Sequence, residues 1–481
     1  MATGMLWATL GTVTSKCASF GAQLALGWML STEDFGIYAV AIAWSTIVLS
    51  LRNGGTQRAL IQLGVNAAEA AGLFFKIALA FNLVGGLTLA AAGPLLADFY
   101  DQQVLRPLLW VIALALPLNT AALIFQAQLS AAMDFRGVTI ITTRSAILRH
   151  ASSVVFAWLG FGPLCFVLPL IVIAVYETAA GWARNGRWAT HKGLTWASFA
   201  EVFRSTRWIM LTSLANVLAI NGDYLAISFF QDKSTLGLYY FGFQLSLSLA
   251  VLFTNGVESV MLPTFARLAD DLTRQRQAFF RAIRVLTITT TLACFGLFLA
   301  AGPLVHWLWA GKWDKAVPVV QILTLSLPIR LLVPLCRSLM EGRGEWWLVA
   351  ALLAVDATGT LVASALAAWL GGLATIAGAM SAYSLTFGLF MCWITARRLG
   401  GQLGEVFVPV VSALGCGITA LLVATWGRTW ESPDLTSVRH AVEIIVIYVA
   451  VYFGLTRLFM KNYLNEVLQL LRSRVNTPFR V

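Results

Sequence analysis

Residues 31–62 read STEDFGIYAVAIAWSTIVLSLRNGGTQRALIQ. The stretch opens on an acidic turn (Glu33, Asp34) beside Gly36 and runs through a mostly apolar segment. It closes on Arg52-Asn53-Gly54-Gly55 and Arg58. An apolar segment bounded by charge at both ends is the pattern of a helix that crosses a bilayer, since a helix satisfies its own backbone polar groups in hydrocarbon. The pattern returns at Asp232-Lys233-Ser234-Thr235-Leu236-Gly237-Leu238-Tyr239, which leads through a second apolar segment to Asn255-Gly256. Phe35-Gly36-Ile37-Tyr38 aligns with Leu236-Gly237-Leu238-Tyr239, and Asn53-Gly54 with Asn255-Gly256 after a one-residue slip. Two copies predict two halves built alike.

Composition extends this reading to the whole chain. Of 481 residues, 59% are hydrophobic and 11% charged, with a mean hydropathy of +0.78. Soluble domains carry about 25% charged residues, so this is a polytopic membrane protein. Its length allows about 14 helices of roughly 20 apolar residues each with short loops. Barrel strands alternate over about 10 residues, and the unbroken apolar runs here exclude them. Spans are expected near 5–30, 37–51, 73–97, 107–128, 140–160, 162–182, 207–230, 236–262, 285–308, 316–338, 346–370, 372–395, 406–426 and 439–460. The first apolar run continues too far for a cleaved signal peptide and reads as the first span.

The net charge of +11 reflects basic inner loops rather than nucleic-acid binding. With the N-terminus inside, inner loops hold 23 of the 33 Lys and Arg. Outer loops hold six: Arg106, Lys233, Lys312, Lys315, Arg428 and Arg439. This bias predicts an N-in, C-in chain. Segments 194–208, 265–284 and 461–474 place apolar residues at helical spacing with arginines between them, and are expected to lie at the cytoplasmic lipid surface. Six single cysteines and four histidines show no metal or disulfide spacing, so no metal or other cofactor is expected. Trp307, Trp309, Trp346 and Trp347 near helix ends suit an interfacial belt.

Four cations fall inside the predicted spans: Lys16, Lys76, Arg149 and Arg330. A central charge costs roughly 2.5–3.5 kcal/mol on insertion scales, so such residues usually face the bundle interior, pair, or line a water path. Lys76 lies near a cytoplasmic helix end and can snorkel there. Lys16 and Arg330 lie deeper, and Arg330 shares its helix with Pro318, Pro328 and Pro334, which predict a bend. A cation lining a wet cavity suits an anion, and the arginine fork suits a pyrophosphate. Lys16, Arg330 and Arg149, with Arg52 and Arg58 at the inner mouth, are therefore the candidate substrate-binding residues. Asp223, Asp356 and Glu177 are candidates for ion coupling or for pairing with those cations.

Leu30–Ala43 (LSTEDFGIYAVAIA) followed by Leu51–Gln62 (LRNGGTQRALIQ) resembles the start of Wzx-type polysaccharide flippases, in the multidrug/oligosaccharidyl-lipid/polysaccharide exporter superfamily. Asn221–Phe230, Leu236–Leu245 and Val317–Arg330 fall where that family has similar segments. The resemblance implies two pseudo-symmetric six-helix bundles, residues 1–190 and 191–400, with two added helices and a cytoplasmic tail in 401–481. It further implies that undecaprenyl-pyrophosphate-linked oligosaccharide is moved by alternating access from the cytoplasmic to the periplasmic leaflet of the bacterial inner membrane. Membrane lipids, and in such families a polymerase and a chain-length regulator, are the implied partners. No bond changes in that process, so no enzyme activity is implied. A lipid II flippase of the same superfamily is the nearest alternative. A membrane polymerase or ligase is more distant, because the outer loops are short. A cation antiporter fits poorly with cavity cations such as Lys16 and Arg330.

Overall fold

Every regular element among the described residues is a helix. The computed structural model describes residues 2–51, 57, 60, 61, 67–186, 196–426, 438–461, 463 and 466. These fold into two compact units, Met1–Gly237 and Leu238–Val481.

The first unit contains α1 (Ala2–Met29), α2 (Thr32–Leu51), α3 (Ala67–Phe99), α4 (Leu105–Ala131), α5 (Phe135–Trp158), α6 (Leu168–Asn185) and α7 (Trp196–Ser228). It ends in the first turn of α8 (Lys233–Arg267). Short connections make antiparallel neighbours of α3 and α4, while α1 packs on α5, α4 on α6, and α2 on α7. The second unit continues α8 and adds α9 (Leu272–Trp309), α10 (Val317–Arg330), α11 (Val333–Gly342), α12 (Trp346–Leu370), α13 (Leu373–Arg398), α14 (Leu403–Trp426) and α15 (Val438–Phe459). There α9 packs on α10, α10 on α13, and α12 on α13. This repeats the α3–α4, α4–α6 and α5–α6 packings of the first unit.

The corners that carry the repeated motif are built alike. Ser31 and Asp34 cap α2 reciprocally: Asp34 N–H donates to Ser31 Oγ (3.1 Å) and Ser31 N–H to Asp34 Oδ2 (2.8 Å), a capping-box arrangement. Asp232 caps α8, accepting from Thr235 N–H (3.0 Å) and Thr235 Oγ1 (2.6 Å). Burial works to raise the Asp232 carboxyl pKa, but these bonds outweigh it and hold it below the usual carboxylate range. The two capped turns meet. A Cβ on Gly36 would overlap the Lys233 carbonyl oxygen, and a Cβ on Gly237 would overlap the Thr32 carbonyl oxygen. Thr32 precedes Gly36 by one helical turn, as Lys233 precedes Gly237, so the contact is reciprocal. Thr32 Oγ1 and Ser234 Oγ close it with a 3.0 Å hydrogen bond. Glycine is required here because two helix backbones touch, the device used where membrane helices approach closely.

Eleven helical stretches among the described residues are long and apolar enough to cross a membrane. The expected bend near the three prolines is a break. α10 ends at Arg330, and α11 starts at Val333 with Pro334 in its first turn. Pro334 has no N–H to offer the Arg330 carbonyl four residues earlier, so the ladder cannot continue. Two expectations need correction. Residues 196–208 and 272–284 do not form separate surface helices. They are the first turns of the continuous helices α7 and α9, because no Pro or Gly interrupts either ladder before the apolar part begins. The 38 residues of α9 rise about 57 Å, more than the roughly 30 Å hydrocarbon core, so its basic first turns extend past the membrane core. The tail 461–474 lies outside the described residues except for Lys461, Tyr463 and Glu466. Trp309, unlike the exposed Trp307, Trp346 and Trp347, is 1% exposed. It packs edge-on against Phe241, whose other contact is the stacked ring of Trp313 at 3.9 Å, so Trp309 belongs to the core rather than to the belt.

The last helix is fixed to α9 by two tyrosines one turn apart. Tyr448 Oη donates to Thr291 O (3.1 Å) and Tyr452 Oη to Ile288 O (2.9 Å). Both rings are fully buried. Such bonds within a membrane contribute about 0.6 kcal/mol each, so their main effect is to set the register of α15 on α9.

Candidate functional site

Two polar clusters interrupt the apolar helices, one in each unit. In the first unit they lie on α1, α4, α5 and α6. Helix α5, 24 residues long, is not among the eleven apolar stretches. Lys16 lowers the apolarity of α1, as Arg144, Arg149 and His150 lower that of α5. The two helices pack together closely enough that a Cβ on Gly11 would crowd Thr139 and Thr143. Lys16 sits near the middle of α1 and is half-buried, whereas Arg149 is exposed. The two cations thus stand on helices that pack against each other. Neither Lys16 nor Arg149 has an acidic partner among the described residues.

Glu177, on α6, belongs to the same unit but is engaged elsewhere. Its Oε1 accepts from Ser145 Oγ (2.5 Å) on α5, and its Oε2 accepts from Asn119 Nδ2 (3.2 Å) on α4. Three helices are thereby tied through one carboxylate, one helical turn from Arg149. Asp223, on α7, is 1% exposed and its Oδ1 accepts the backbone N–H of Tyr224 (2.9 Å). Arg52 and Arg58 lie outside the described residues.

The second unit brings Arg330 and Asp356 together. Asp356 lies in the middle of α12 and is 2% exposed, whereas the Arg330 side chain is 23% exposed. Arg330 Nη1 donates to Asp356 Oδ1 and Nη2 to Oδ2, both at 2.8 Å. This two-pronged fork is the strongest geometry available to an arginine–carboxylate pair. Tyr383 Oη lies 3.0 Å from both Asp356 Oδ1 and the Asp356 carbonyl oxygen. The Arg330 guanidinium also faces the Phe387 ring at 5.5 Å, and Phe387 stacks on Tyr383. Gly359 makes this possible, because a Cβ there would overlap the Tyr383 ring. The helix break therefore places a cation whose two outer nitrogens are already occupied by a buried acid.

Arg330 and Asp356, named from the sequence as a cation and an acid, thus form one pair. Lys16 and Arg149 share a neighbourhood with each other, and Glu177 does not neutralise them. The residues not anticipated are His150, Ser145, Asn119, Tyr383 and Phe387. His150 alone carried a signal, being a histidine beside Arg149 in an apolar run. The others are ordinary polar or aromatic residues whose roles depend on which helix lies opposite.

A profile of the family described as "Polysaccharide biosynthesis protein" matches residues 25–318. The chain is 25% identical over 482 residues to the succinoglycan biosynthesis transport protein ExoT of Rhizobium meliloti (strain 1021), covering 96% of this chain and 94% of that protein. It is 22% identical over 451 residues to the lipopolysaccharide biosynthesis protein WzxC of Escherichia coli (strain K12), covering 92% and 87%. Among solved structures, the fold matches the inward closed conformation of the lipid II flippase MurJ with a TM-score of 0.75, at 12% identity over 96% of this chain and 100% of that one. An inward-facing multidrug resistance MATE family transporter of the MOP superfamily matches with a TM-score of 0.64, at 13% identity over 80% and 94%.

Proposed function

The chain belongs to the polysaccharide biosynthesis protein family, and on that premise we propose that it is a flippase. It moves an undecaprenyl-pyrophosphate-linked oligosaccharide from the cytoplasmic to the periplasmic leaflet of a bacterial inner membrane. In this reading about 14 helices cross the bilayer, with both termini inside. Residues 1–190 and 191–400 are topologically equivalent six-helix repeats, 401–481 is an addition, and the repeats rock in alternating access. The product feeds a polysaccharide polymerase and its chain-length regulator, which are the implied protein partners. A relative of nearly the same length named as a transport protein supports movement of a molecule rather than bond-making chemistry.

The observation that carries the reading is the contrast between the two clusters. Arg330 is neutralised by Asp356, whereas Lys16 and Arg149, on the packed helices α1 and α5, have no acidic partner among the described residues. A cation without an acidic partner inside a membrane helix is costly, and a doubly charged anion removes that cost on binding. Lys16 and Arg149 are therefore assigned to the pyrophosphate, with Arg52 and Arg58 at the cytoplasmic mouth. Arg330 is assigned a binding role that requires release from Asp356, with Asp223 and Glu177 left as coupling or pairing groups. The lipid II alternative is supported by fold similarity alone, at 12% identity.

The test is a strain lacking the chain. Lipid-linked oligosaccharide should accumulate facing the cytoplasm, and mass analysis of its glycan identifies the repeat. A normal leaflet distribution, or accumulation of a peptidoglycan precursor instead, would overturn the proposal.

A further inference from the structure

The second unit contains a groove that the transport reading does not use. It has a volume of about 920 Å³ and runs between the C-terminal half of α8 and the first turns of α9. One wall is apolar, formed by Phe253, Val257, Val260 and Met261, and the other carries Arg274, Arg281 and Arg284.

The arginines of α9 divide by their partners. Arg276 and Arg284, two turns apart, are each held by a glutamate from later in the chain. Arg276 Nη2 donates to both oxygens of Glu405 at 2.8 and 2.9 Å. Arg284 donates from Nε and Nη2 to Glu466, both at 3.1 Å, and its guanidinium faces the Tyr463 ring at 5.2 Å. Arg274 and Arg281, seven residues apart, lie one above the other on the groove side of α9, with Arg284 beside Arg281 at i+3. Arg274 makes only a local 3.2 Å pair with Asp271, with 75% of its side chain exposed. Arg281 is exposed and makes no ion pair among the described residues. The groove therefore has one guanidinium free and a second loosely held, opposite a hydrocarbon-like wall.

We propose that this groove binds an anionic phospholipid of the surrounding bilayer, with its phosphate on Arg281 and Arg274 and an acyl chain along Phe253, Val257, Val260 and Met261. Charge complementarity and the two-faced lining select this occupant. A soluble anion has no use for the apolar wall, and a neutral lipid has none for the arginines. The Lys and Arg bias places this turn on the cytoplasmic side, where anionic lipid gathers.

The test measures lipid retention by the purified full chain in native mass spectrometry, without any transport substrate, so it succeeds or fails independently of the flippase reading. The probes are phosphatidylglycerol, phosphatidylcholine and undecaprenyl pyrophosphate. Phosphatidylglycerol should be retained over phosphatidylcholine. Each basic residue near an anionic surface is worth about a factor of five, so Arg281→Ala should lower retention about fivefold and the Arg274→Ala/Arg281→Ala pair about twenty-five-fold. Arg281→Lys should keep most of it, and Met261→Trp, which fills the groove, should lower it without altering charge. Equal retention of phosphatidylcholine, no effect of the double substitution, or displacement of phosphatidylglycerol by equimolar undecaprenyl pyrophosphate would each overturn the proposal.

Discussion

Removing one side of the Arg330–Asp356 pair is expected to cost unequal amounts depending on which side is removed. Arg330→Ala leaves a carboxylate that is 2% exposed, with Tyr383 Oη as its side-chain donor in the cluster. An uncompensated buried charge of this kind costs about 3–5 kcal/mol. Asp356→Asn leaves a guanidinium that is 23% exposed, stays in contact with Phe387, and keeps one hydrogen-bonding oxygen opposite it. Its cost should be about 1–3 kcal/mol, the range for a weakened buried hydrogen bond. Soluble-protein scaling for a domain of 150–250 residues gives about 2–4 °C per kcal/mol. Arg330→Ala should therefore lower the unfolding midpoint by about 6–20 °C, and Asp356→Asn by about 2–12 °C.

Thermal unfolding of the purified protein in detergent, followed by tryptophan fluorescence, provides the assay. A double-mutant cycle with Arg330→Ala, Asp356→Ala and both together isolates the pair, with an expected coupling of about 2 kcal/mol. The apolar double replacement Arg330→Met/Asp356→Leu should regain most of the lost stability, because matched removal also removes both desolvation costs. Additivity of the single costs to within about 0.5 kcal/mol would refute the coupling. Polymer export separates the roles further. Arg330→Lys keeps the charge without the fork, and Arg330→Met/Asp356→Leu should be stable yet inactive if the cation has to leave Asp356 during transport.

Three further outcomes follow from particular contacts. Gly36→Ala and Gly237→Ala each push a methyl group into a backbone carbonyl and should sharply reduce folded protein in the membrane, whereas Gly21→Ala, which meets nothing within 4 Å, should be neutral by the same fluorescence-detected chromatography. Lys16→Ala and Arg149→Ala should each abolish polymer export while leaving membrane levels and midpoints close to the parent; normal polymer in both would remove the anion-site assignment. Asp134 caps α5 by accepting from Gly137 N–H at 2.9 Å and pairs with Arg184 Nε at 2.8 Å, and these two contacts lower its carboxyl pKa. Its stabilisation is therefore complete above the unfolded carboxylate value of about 3.9 and fades as pH falls through that value and the lower folded one. Asp134→Ala should cost about 1 kcal/mol at neutral pH and progressively less in acid, measured as the difference in midpoint against the parent.

Span positions were legible in the sequence because each depends only on its own residues. Apolar length and flanking charge placed most helices to within about six residues, missing the starts of α7 and α9 by 11 and 13, and Pro328 with Pro334 marked the break at Arg330. The repeated Gly36 and Gly237 were visible as a motif, but not as a contact, since the Thr32 and Lys233 carbonyls they touch come from another helix. The same limit hid the Glu177 network. Ser145 and Asn119 are unremarkable on α5 and α4, and only the packing of both helices against α6 makes them ligands of one carboxylate. The surface-helix expectation for 194–208 and 265–284 failed for a related reason: amphipathicity reports which face meets lipid, but only a helix breaker reports where a helix ends.

Partner identity also decides between the cations, which the sequence treated alike. A charge inside a membrane helix is retained only if something compensates it. For Arg330 the compensation is internal, since Asp356 occupies both outer nitrogens and a ligand has to compete with a bidentate carboxylate before it can bind. For Lys16 and Arg149 no acidic partner stands among the described residues, so on the proposed reading an incoming anion meets no competing carboxylate there. On the proposed transport reading, the α1–α5 pair would serve capture and the α10–α12 pair a later exchange in which Asp356 gives up its arginine. This ordering accounts for both a free pair of cations and a masked one in a chain whose helices contain so few charges.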